Sequence, residues 1–313
     1  VCSLYPKKGS RSDPANYRPI CITSVVVRVL ESIVAVYIKA HYMRNSFWFP
    51  GQLGFRPGCS TLEHLAYVKA RILQARAAGI HLPVVFLDLT RAFDTVNHHL
   101  LLHKLLLARI PIPLFTWIRA LLSGRRMCVV DCGIRSYWFN AAIGVPQGSC
   151  LGPLLFNIYI NDLGPRLNSV VLKLYADDIV LLPLPYDPSP YLSLQSALTV
   201  CSAWARSNGL SFSIRKSAVV LFSAPGVPLD PVVPLSVGIP SAALPYVNSY
   251  KYLGVIFDSH LDFGDHFNSL LKSLAFSSVN IVTLARRSSL VFPHTIGLLV
   301  RAILWSKVQY ALG

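Results

Sequence analysis

The sequence predicts an α+β fold organised around an acidic hairpin, and three observations predict it. Apolar, β-branched runs of strand length alternate with stretches of helical periodicity. Two such runs, 170–175 and 179–184, are joined across Ala176-Asp177-Asp178, which puts two acids at a hairpin tip. Clusters of Gly, Pro and Ser punctuate the chain between the runs.

Taken in order, residues 25–42 and 61–77 read as helices, the second opened by a Ser60/Thr61 cap with Glu63 in its first turn. Residues 82–89 are a short apolar run bounded by Pro83, a buried strand. Asp94 is placed to cap a helix over 95–109, with leucines at 100, 101, 102, 105, 106 and 107. Runs 127–132 and 137–142 flank Gly133 and predict a hairpin. Residues 144–148 break the chain before a helix over 149–162, which tolerates Pro153 in its first turn and stops at Gly164-Pro165. A helix over 193–207 ends at Asn208-Gly209, 224–245 reads as a Pro- and Ser-rich surface loop, 250–257 is strand-like, and the remainder is helical.

At 313 residues the chain is long enough for two or three packed subdomains. Hydrophobic residues at 53% against 14% charged exclude intrinsic disorder. The apolar runs 19–38 and 289–305 are interrupted by Arg28 and Glu31 and by His294 and Arg301, so no membrane span is expected. The formal net charge of +15, from 29 basic against 14 acidic residues, favours a polyanionic partner, of which nucleic acid is the commonest. Short pairs such as Lys7-Lys8, Arg125-Arg126 and Arg215-Lys216 are scattered, so the basic surface belongs to the folded body. Seven cysteines without a C-x-x-C pair read as small buried hydrophobes of a reducing compartment, not as a zinc site. No signal peptide is expected, and Val1 together with the abrupt ends suggests a piece of a longer protein.

With so few acids, those inside apolar runs stand out. Asp88 follows Val84-Val85-Phe86-Leu87, and Asp177-Asp178 lie between Leu174-Tyr175-Ala176 and Ile179-Val180. An uncompensated carboxylate there costs several kcal/mol, roughly, so a cation is the expected partner. Asp with no nearby His or Cys favours Mg²⁺ or Mn²⁺ over zinc. The competing reading makes Asp88 a helix cap and Asp177-Asp178 a plain turn. A turn needs only one such residue, however, and two adjacent like charges repel unless something positive lies between them.

The ordered series Phe86-Leu87-Asp88-Leu89-Thr90-Arg91-Ala92-Phe93-Asp94, Gly144-Val145-Pro146-Gln147-Gly148-Ser149 and Tyr175-Ala176-Asp177-Asp178 resembles the motif set of reverse transcriptases, most of all those of non-LTR (LINE-type) retrotransposons. Further matches are Lys7-Lys8, Tyr17-Arg18-Pro19-Ile20, Gly54-Phe55-Arg56-Pro57-Gly58, Asn208-Gly209-Leu210 with Lys216, and Tyr250-Lys251-Tyr252-Leu253-Gly254. The resemblance implies a right-hand polymerase with an antiparallel palm sheet flanked by helices: fingers over 1–82, palm over 83–222 with a fingers-side hairpin near 125–142, a variable loop and primer-grip strands over 223–262, and a partial thumb over 263–313.

It implies RNA-directed DNA synthesis with two Mg²⁺ ions held by Asp88 and Asp177, with Asp178 completing the charge cluster and the Leu89 carbonyl as a further oxygen ligand. Lys216 matches a general acid for pyrophosphate. Lys8, Arg18 and Arg56 match triphosphate-binding cations, Phe93 an aromatic that excludes a 2′-hydroxyl, and Gln147 with Gly148 a surface for the template–nucleotide pair. Tyr252, Leu253 and Gly254 match the primer grip. The implied partners are an RNA template, a DNA primer, the RNA–DNA hybrid and dNTPs, with no membrane. The family's habit of priming at chromosomal nicks implies nuclear work with a cytoplasmic ribonucleoprotein stage. Neither an endonuclease domain nor a zinc knuckle is expected within this stretch.

Three rivals remain. A viral RNA-dependent RNA polymerase shares the palm logic, but Ala176 and Phe93 stand where that enzyme carries Gly and a ribose-tolerant site. A catalytically silent remnant that only binds RNA would have lost catalytic positions, and none is lost here. A basic membrane-surface protein would need an amphipathic basic helix, and none is convincing.

Overall fold

The computed structural model describes residues 2–6, 10, 12–13, 16–131, 133–224, 226–227, 233–287 and 292–312. Lys7, Lys8 and the middle of the 224–245 loop lie outside them.

Strands β1 (Cys2–Pro6) and β2 (Tyr17–Cys21) pair antiparallel in the register Cys2↔Cys21. Neither was expected, because short runs holding Pro19 beside basic loops carry little periodicity. Helix α1 (Val25–Arg44) starts where Ser24 Oγ accepts the Val27 amide, and α2 (Thr61–Ala77) where Ser60 Oγ accepts the Glu63 amide. Strand β3 (Leu82–Asp88) is buried until its last residue.

The helix expected over 95–109 begins later. Ala92–Asp94 make one 3₁₀ turn, and α3 (His98–Leu107) is capped by Asn97, whose Oδ1 accepts the Leu100 amide at 3.1 Å. The capping residue nearest the leucine run takes the cap, which frees Asp94 for another partner. Helix α4 (Ile112–Leu122) follows, with Pro113 in its first turn.

The hairpin expected near 125–142 is split into two short ladders: β4 (Arg126–Met127) with β7 (Phe139–Asn140), and β5 (Val129–Asp131) with β6 (Ile134–Arg135). Strand β5 also joins β1 in parallel, which interrupts the hairpin. The helix expected over 149–162 is α5 (Gly152–Ile160), continued by a 3₁₀ stretch, Asn161–Arg166. Strands β8 (Val170–Tyr175) and β9 (Asp178–Pro183) form the acidic hairpin, closed by the pair Tyr175↔Asp178. Helix α6 (Pro190–Ser207) ends at Asn208.

Strand β10 (Ala218–Phe222) pairs antiparallel with β3 from Ala218↔Phe86 to Phe222↔Leu82. Within the expected loop, β11 (Ser236–Val237) and β12 (Ala242–Ala243) pair. The single strand expected over 250–257 is a hairpin of β13 (Ser249–Tyr252) and β14 (Val255–Asp258). The chain ends in α7 (Gly264–Arg287), α8 (Pro293–Leu299), a π-helical stretch (Val300–Trp305) and α9 (Ser306–Leu312).

These elements form two compact units, each assembled from three stretches. The first comprises Val1–Cys59, Leu87–Ser217 and Val233–Leu244, and the second Ser60–Phe86, Ala218–Val232 and Pro245–Gly313. In the first, α5 packs on α3 and α6 on β9, around a core that includes Leu155, Phe156, Tyr159, Leu174, Leu181 and Trp204. In the second, Phe86 stacks on Tyr250 with ring centroids 4.5 Å apart, and α7 packs on β14. No described helix is long and apolar enough to cross a membrane.

Candidate active site

The first unit carries Asp88, Asp177, Asp178 and Lys216. Asp88 ends β3, where its amide donates to Ser217 Oγ at 3.1 Å and its carbonyl accepts the Ser213 amide at 2.9 Å. Leu89 and Phe212 form an antiparallel bridge just beyond, so residues 211–217 run alongside the carboxylate and deliver Lys216 to it. Lys216 Nζ lies 3.1 Å from Asp88 Oδ1.

Across the same unit, Ala176 and Asp177 make the two-residue turn between β8 and β9. Asp177 and Asp178 both sense the Asp88 charge. Burial, with the Asp88 charge beside it, raises the pKa of Asp177, while Lys216 and Arg18 oppose that shift. Asp178 is pushed up to about 7, first by burial and then by the charges of Asp177 and Asp88. Oxygen-only donors crowded in this way suit a hard divalent cation. Among the described residues no three His, Cys, Asp or Glu side chains converge into a metal cage.

The turn is held from behind. Residues 51–53 run along β8, with the Leu53 amide donating to the Leu174 carbonyl at 3.0 Å and the Leu174 amide to the Gly51 carbonyl at 2.8 Å. Gln52, fully buried, points its Oε1 at the amides of Gly54 (2.9 Å) and Ala176 (3.2 Å). A side chain at Gly54 would meet the Ala176 nitrogen at 2.5 Å, so only glycine allows this approach. Asn157 of α5, also fully buried, donates Nδ2 to the Gly54 carbonyl.

The remaining candidates of the first unit fall into distinct places. Phe93, half-buried, stacks on Phe156 with centroids 4.6 Å apart, and its carbonyl accepts the Val145 amide at 2.8 Å. Gln147 Nε2 donates to Asp94 Oδ1 at 2.8 Å, the partner that the shifted helix cap left available. Gly148 has φ +98°, and an added Cβ would stand 2.9 Å from the Cys21 carbonyl oxygen, so the close approach is one the chain makes to itself. Arg18 is exposed on β2. Beside these residues opens a cavity of about 470 Å³ lined by Tyr17, Cys21, Arg91, Asp94, Arg125 and Gln147.

Arg56, expected at the triphosphate, is engaged by its own loop. Its Nη1 donates to the carbonyls of Phe49 (3.2 Å) and Gln52 (2.8 Å), and its guanidinium lies 5.7 Å from the Trp48 ring centroid, so it ties down its own loop. Lys8 lies outside the described residues. In the second unit Tyr252 is buried and its hydroxyl lies 2.6 Å from His64 Nδ1. Leu253 and Gly254 form the tip of the β13–β14 hairpin, where Tyr310 Oη donates to the Leu253 carbonyl.

Sequence reasoning missed three supporting residues. Gln52 and Asn157 are described above, and Glu31, buried in α1, accepts from Ser149 Oγ (2.8 Å) and the Cys150 amide (2.9 Å), fixing the loop that follows Gln147. The one available signal was Glu31's place among apolar helix positions, since only two Glu occur in the chain.

A palm-like acidic hairpin facing an aspartate at a strand end defines a right-hand polymerase fold, and solved structures agree. Telomerase from Candida Tropicalis in complex with a telomeric RNA fragment superposes with a TM-score of 0.58 at 12% identity, covering 99% of this chain and 53% of that one. The family model for reverse transcriptase (RNA-dependent DNA polymerase) matches residues 5–257, and the chain belongs to that family. Its members generally depend on divalent metal ions. It is 32% identical to a probable RNA-directed DNA polymerase from transposon X-element of Drosophila melanogaster over 88% of this chain and 30% of that protein. It is also 32% identical to the RNA-directed DNA polymerase from mobile element jockey of Drosophila funebris, over 83% of this chain and 29% of that protein. The chain thus spans less than a third of the length of these relatives.

Proposed function

We propose that this chain is a polymerase core that copies retroelement RNA into DNA. The observation that carries the reading is the meeting of Asp88, at the end of β3, with the Asp177-Asp178 turn and Lys216 within one compact unit. The expected division into fingers, palm and partial thumb belongs to the same proposal.

Two Mg²⁺ or Mn²⁺ ions are the metal reading, with Asp88 and Asp177 as the main ligands, Asp178 as a contributor to the negative cluster and the Leu89 carbonyl as an added oxygen. Such ions supply Lewis-acid stabilisation of charge on the attacking and leaving oxygens. The chain's own groups do the rest. The primer 3′-hydroxyl gives up its proton to solvent and attacks the α-phosphorus of a dNTP, displacing pyrophosphate. Arg18 supplies positive charge to the triphosphate. Lys216, exposed and able to swing from Asp88, gives a proton to the departing pyrophosphate. Phe93, backed by Phe156, presents an aromatic edge to the sugar. Gln147, fixed by Asp94, meets the template–nucleotide pair. Template RNA, DNA primer and their hybrid are the macromolecular partners, and nuclear synthesis after a cytoplasmic ribonucleoprotein stage is the setting that fits a mobile-element polymerase.

Primer extension on an RNA template with dNTPs and Mg²⁺ tests this. Wild type should extend, and Asp177→Asn should lose at least two orders of magnitude in rate, roughly the scale of losing a key electrostatic group. Equal extension by both proteins would refute the mechanism.

A further inference from the structure

Ala176 sits at the tip of the acidic hairpin with φ +55°, a left-handed conformation that costs an alanine about 1 kcal/mol. Something must hold it there. In a two-residue turn the orientation of each peptide sets where the next side chain points, and the next residue is Asp177. Of the groups around the Ala176 amide, the one that bonds it is Gln52 Oε1, 3.2 Å away, and that oxygen also takes the Gly54 amide at 2.9 Å.

We infer that Gln52 is the positioning residue of the acidic turn: its side-chain oxygen fixes the Ala176 peptide and thereby aims the Asp177 carboxylate, with Asn157 and Gly54 holding Gln52's loop in place. This rests on the polymerase reading above. Three features support it. Gln52 is fully buried, and the desolvation of its side-chain oxygen is offset by the two amides it accepts. Asn157 closes the second side of Gly54 by donating to its carbonyl, which leaves the loop little freedom to drift. The backbone of residues 51–53 is stitched to Leu174, so the clasp and the turn it holds share one rigid edge. Gln52 touches neither substrate nor metal; it acts through Ala176.

The effect belongs in the chemical step and not in binding, because the clasp aims a carboxylate and contacts no primer, template or nucleotide. Steady-state primer extension by wild type, Gln52→Met, Gln52→Glu and Gln52→Met/Ala176→Gly separates the possibilities, with melting temperatures and primer–template affinity measured alongside. Gln52→Met keeps the volume and removes the acceptor, so kcat should fall tenfold or more while the KM for dNTP and the affinity for primer–template stay within twofold. Gln52→Glu, which restores a carbonyl-type acceptor, should recover most of the loss. Ala176→Gly, which makes the left-handed turn cheap, should recover part of it in the Gln52→Met background. The melting curves separate mis-aiming from unfolding: a fall in kcat with an unchanged melting temperature is mis-aiming, whatever strain Ala176→Gly relieves.

A Gln52→Met enzyme with wild-type kcat would overturn the inference, as would a loss confined to KM or affinity, or the absence of rescue by both Gln52→Glu and Ala176→Gly. If wild type itself fails to extend primers, it is the polymerase reading that falls, a result distinct from any of these.

Discussion

Asp178 lies half-buried beside two other carboxylates, and its acidity follows from that place. Burial raises its pKa first, the charges of Asp177 and Asp88 raise it further, and Lys216 opposes, to give about 7. A carboxyl raised on folding holds its proton more tightly folded than unfolded. Its contribution to stability is complete below its ordinary value of 3.8 and is lost as pH rises through about 7. His98, whose pKa is lowered by burial, acts in the opposite sense, so the difference between two proteins is the clean measure. In chelator, wild type should lose more melting temperature between pH 5.5 and 8 than Asp178→Asn does, and added Mg²⁺ should shrink that gap by favouring the ionised form. Parallel pH profiles for the two proteins would contradict the crowded-carboxylate account. Phe93 carries a second prediction. Phe156 fixes its ring, so Phe93→Ala should raise ribonucleotide incorporation tenfold or more relative to dNTP use, and unchanged discrimination in competing single-nucleotide extension would remove it from sugar selection. The three aspartates stood out in the sequence because charge inside apolar runs is locally anomalous. Gln52 did not, because its meaning lies in the Ala176 amide, more than a hundred residues away along the chain. Arg56's carbonyl partners were hidden for a related reason: they lie in the fold of its own loop, which a basic residue in a basic protein does not announce.

At the scale of elements, the sequence was most informative where local chemistry decides. The cap at Ser60 with Glu63 set the start of α2, and its end at Ala77 matched the expected range. It misled where two caps competed: Asp94 and Asn97 both precede the leucine run, and Asn97 holds the helix. Asn97→Ala should therefore cost about 1 kcal/mol in denaturant melts, whereas Asp94→Ala should cost the helix little and instead release Gln147. Equal destabilisation by both would put the cap in doubt. Strands β1 and β2 were illegible because each is short and stabilised by its neighbour, a pairing that no single window contains. The β13–β14 hairpin was half legible, its apolar run plain but its turn hidden. Leu253 and Gly254 both have positive φ, 44° and 89°, the demand of a type I′ turn, which Asn-Gly meets better than Leu-Gly. Leu253→Asn should raise stability by about 0.5–1 kcal/mol, read as a higher midpoint in urea. A lower midpoint would show that the Leu253 side chain, and not the turn, decides.

At the scale of the whole chain, sequence segments and compact units differ in kind. The expected divisions were contiguous, while each unit draws on three separated stretches, and β3 passes from the second unit into the first between Phe86 and Leu87. No window reveals such interleaving, because it depends on which strands pair. The α+β class was legible nonetheless, since alternation of strand and helix survives any assignment of partners. Charge is a property of the whole sequence too, and it leads to the last prediction. Basic residues exceed acidic ones by 15 in a chain only 14% charged, and the acidic minority includes the three carboxylates of the hairpin site. The excess is therefore available to phosphates along a bound template–primer. Each phosphate neutralised releases condensed counterions, so affinity should fall linearly in the logarithm of salt concentration. With six or more phosphates engaged, raising salt from about 50 to 200 mM should weaken binding of an RNA–DNA hybrid by about 10³ or more. The same titration with Arg18→Ala should leave the slope unchanged, because Arg18 serves the nucleotide's triphosphate and not the hybrid's backbone. Fluorescence anisotropy across that range reads both values. A flat profile would mean that the excess charge faces away from nucleic acid, and a lower slope in Arg18→Ala would move Arg18 from the triphosphate to the backbone of the bound hybrid.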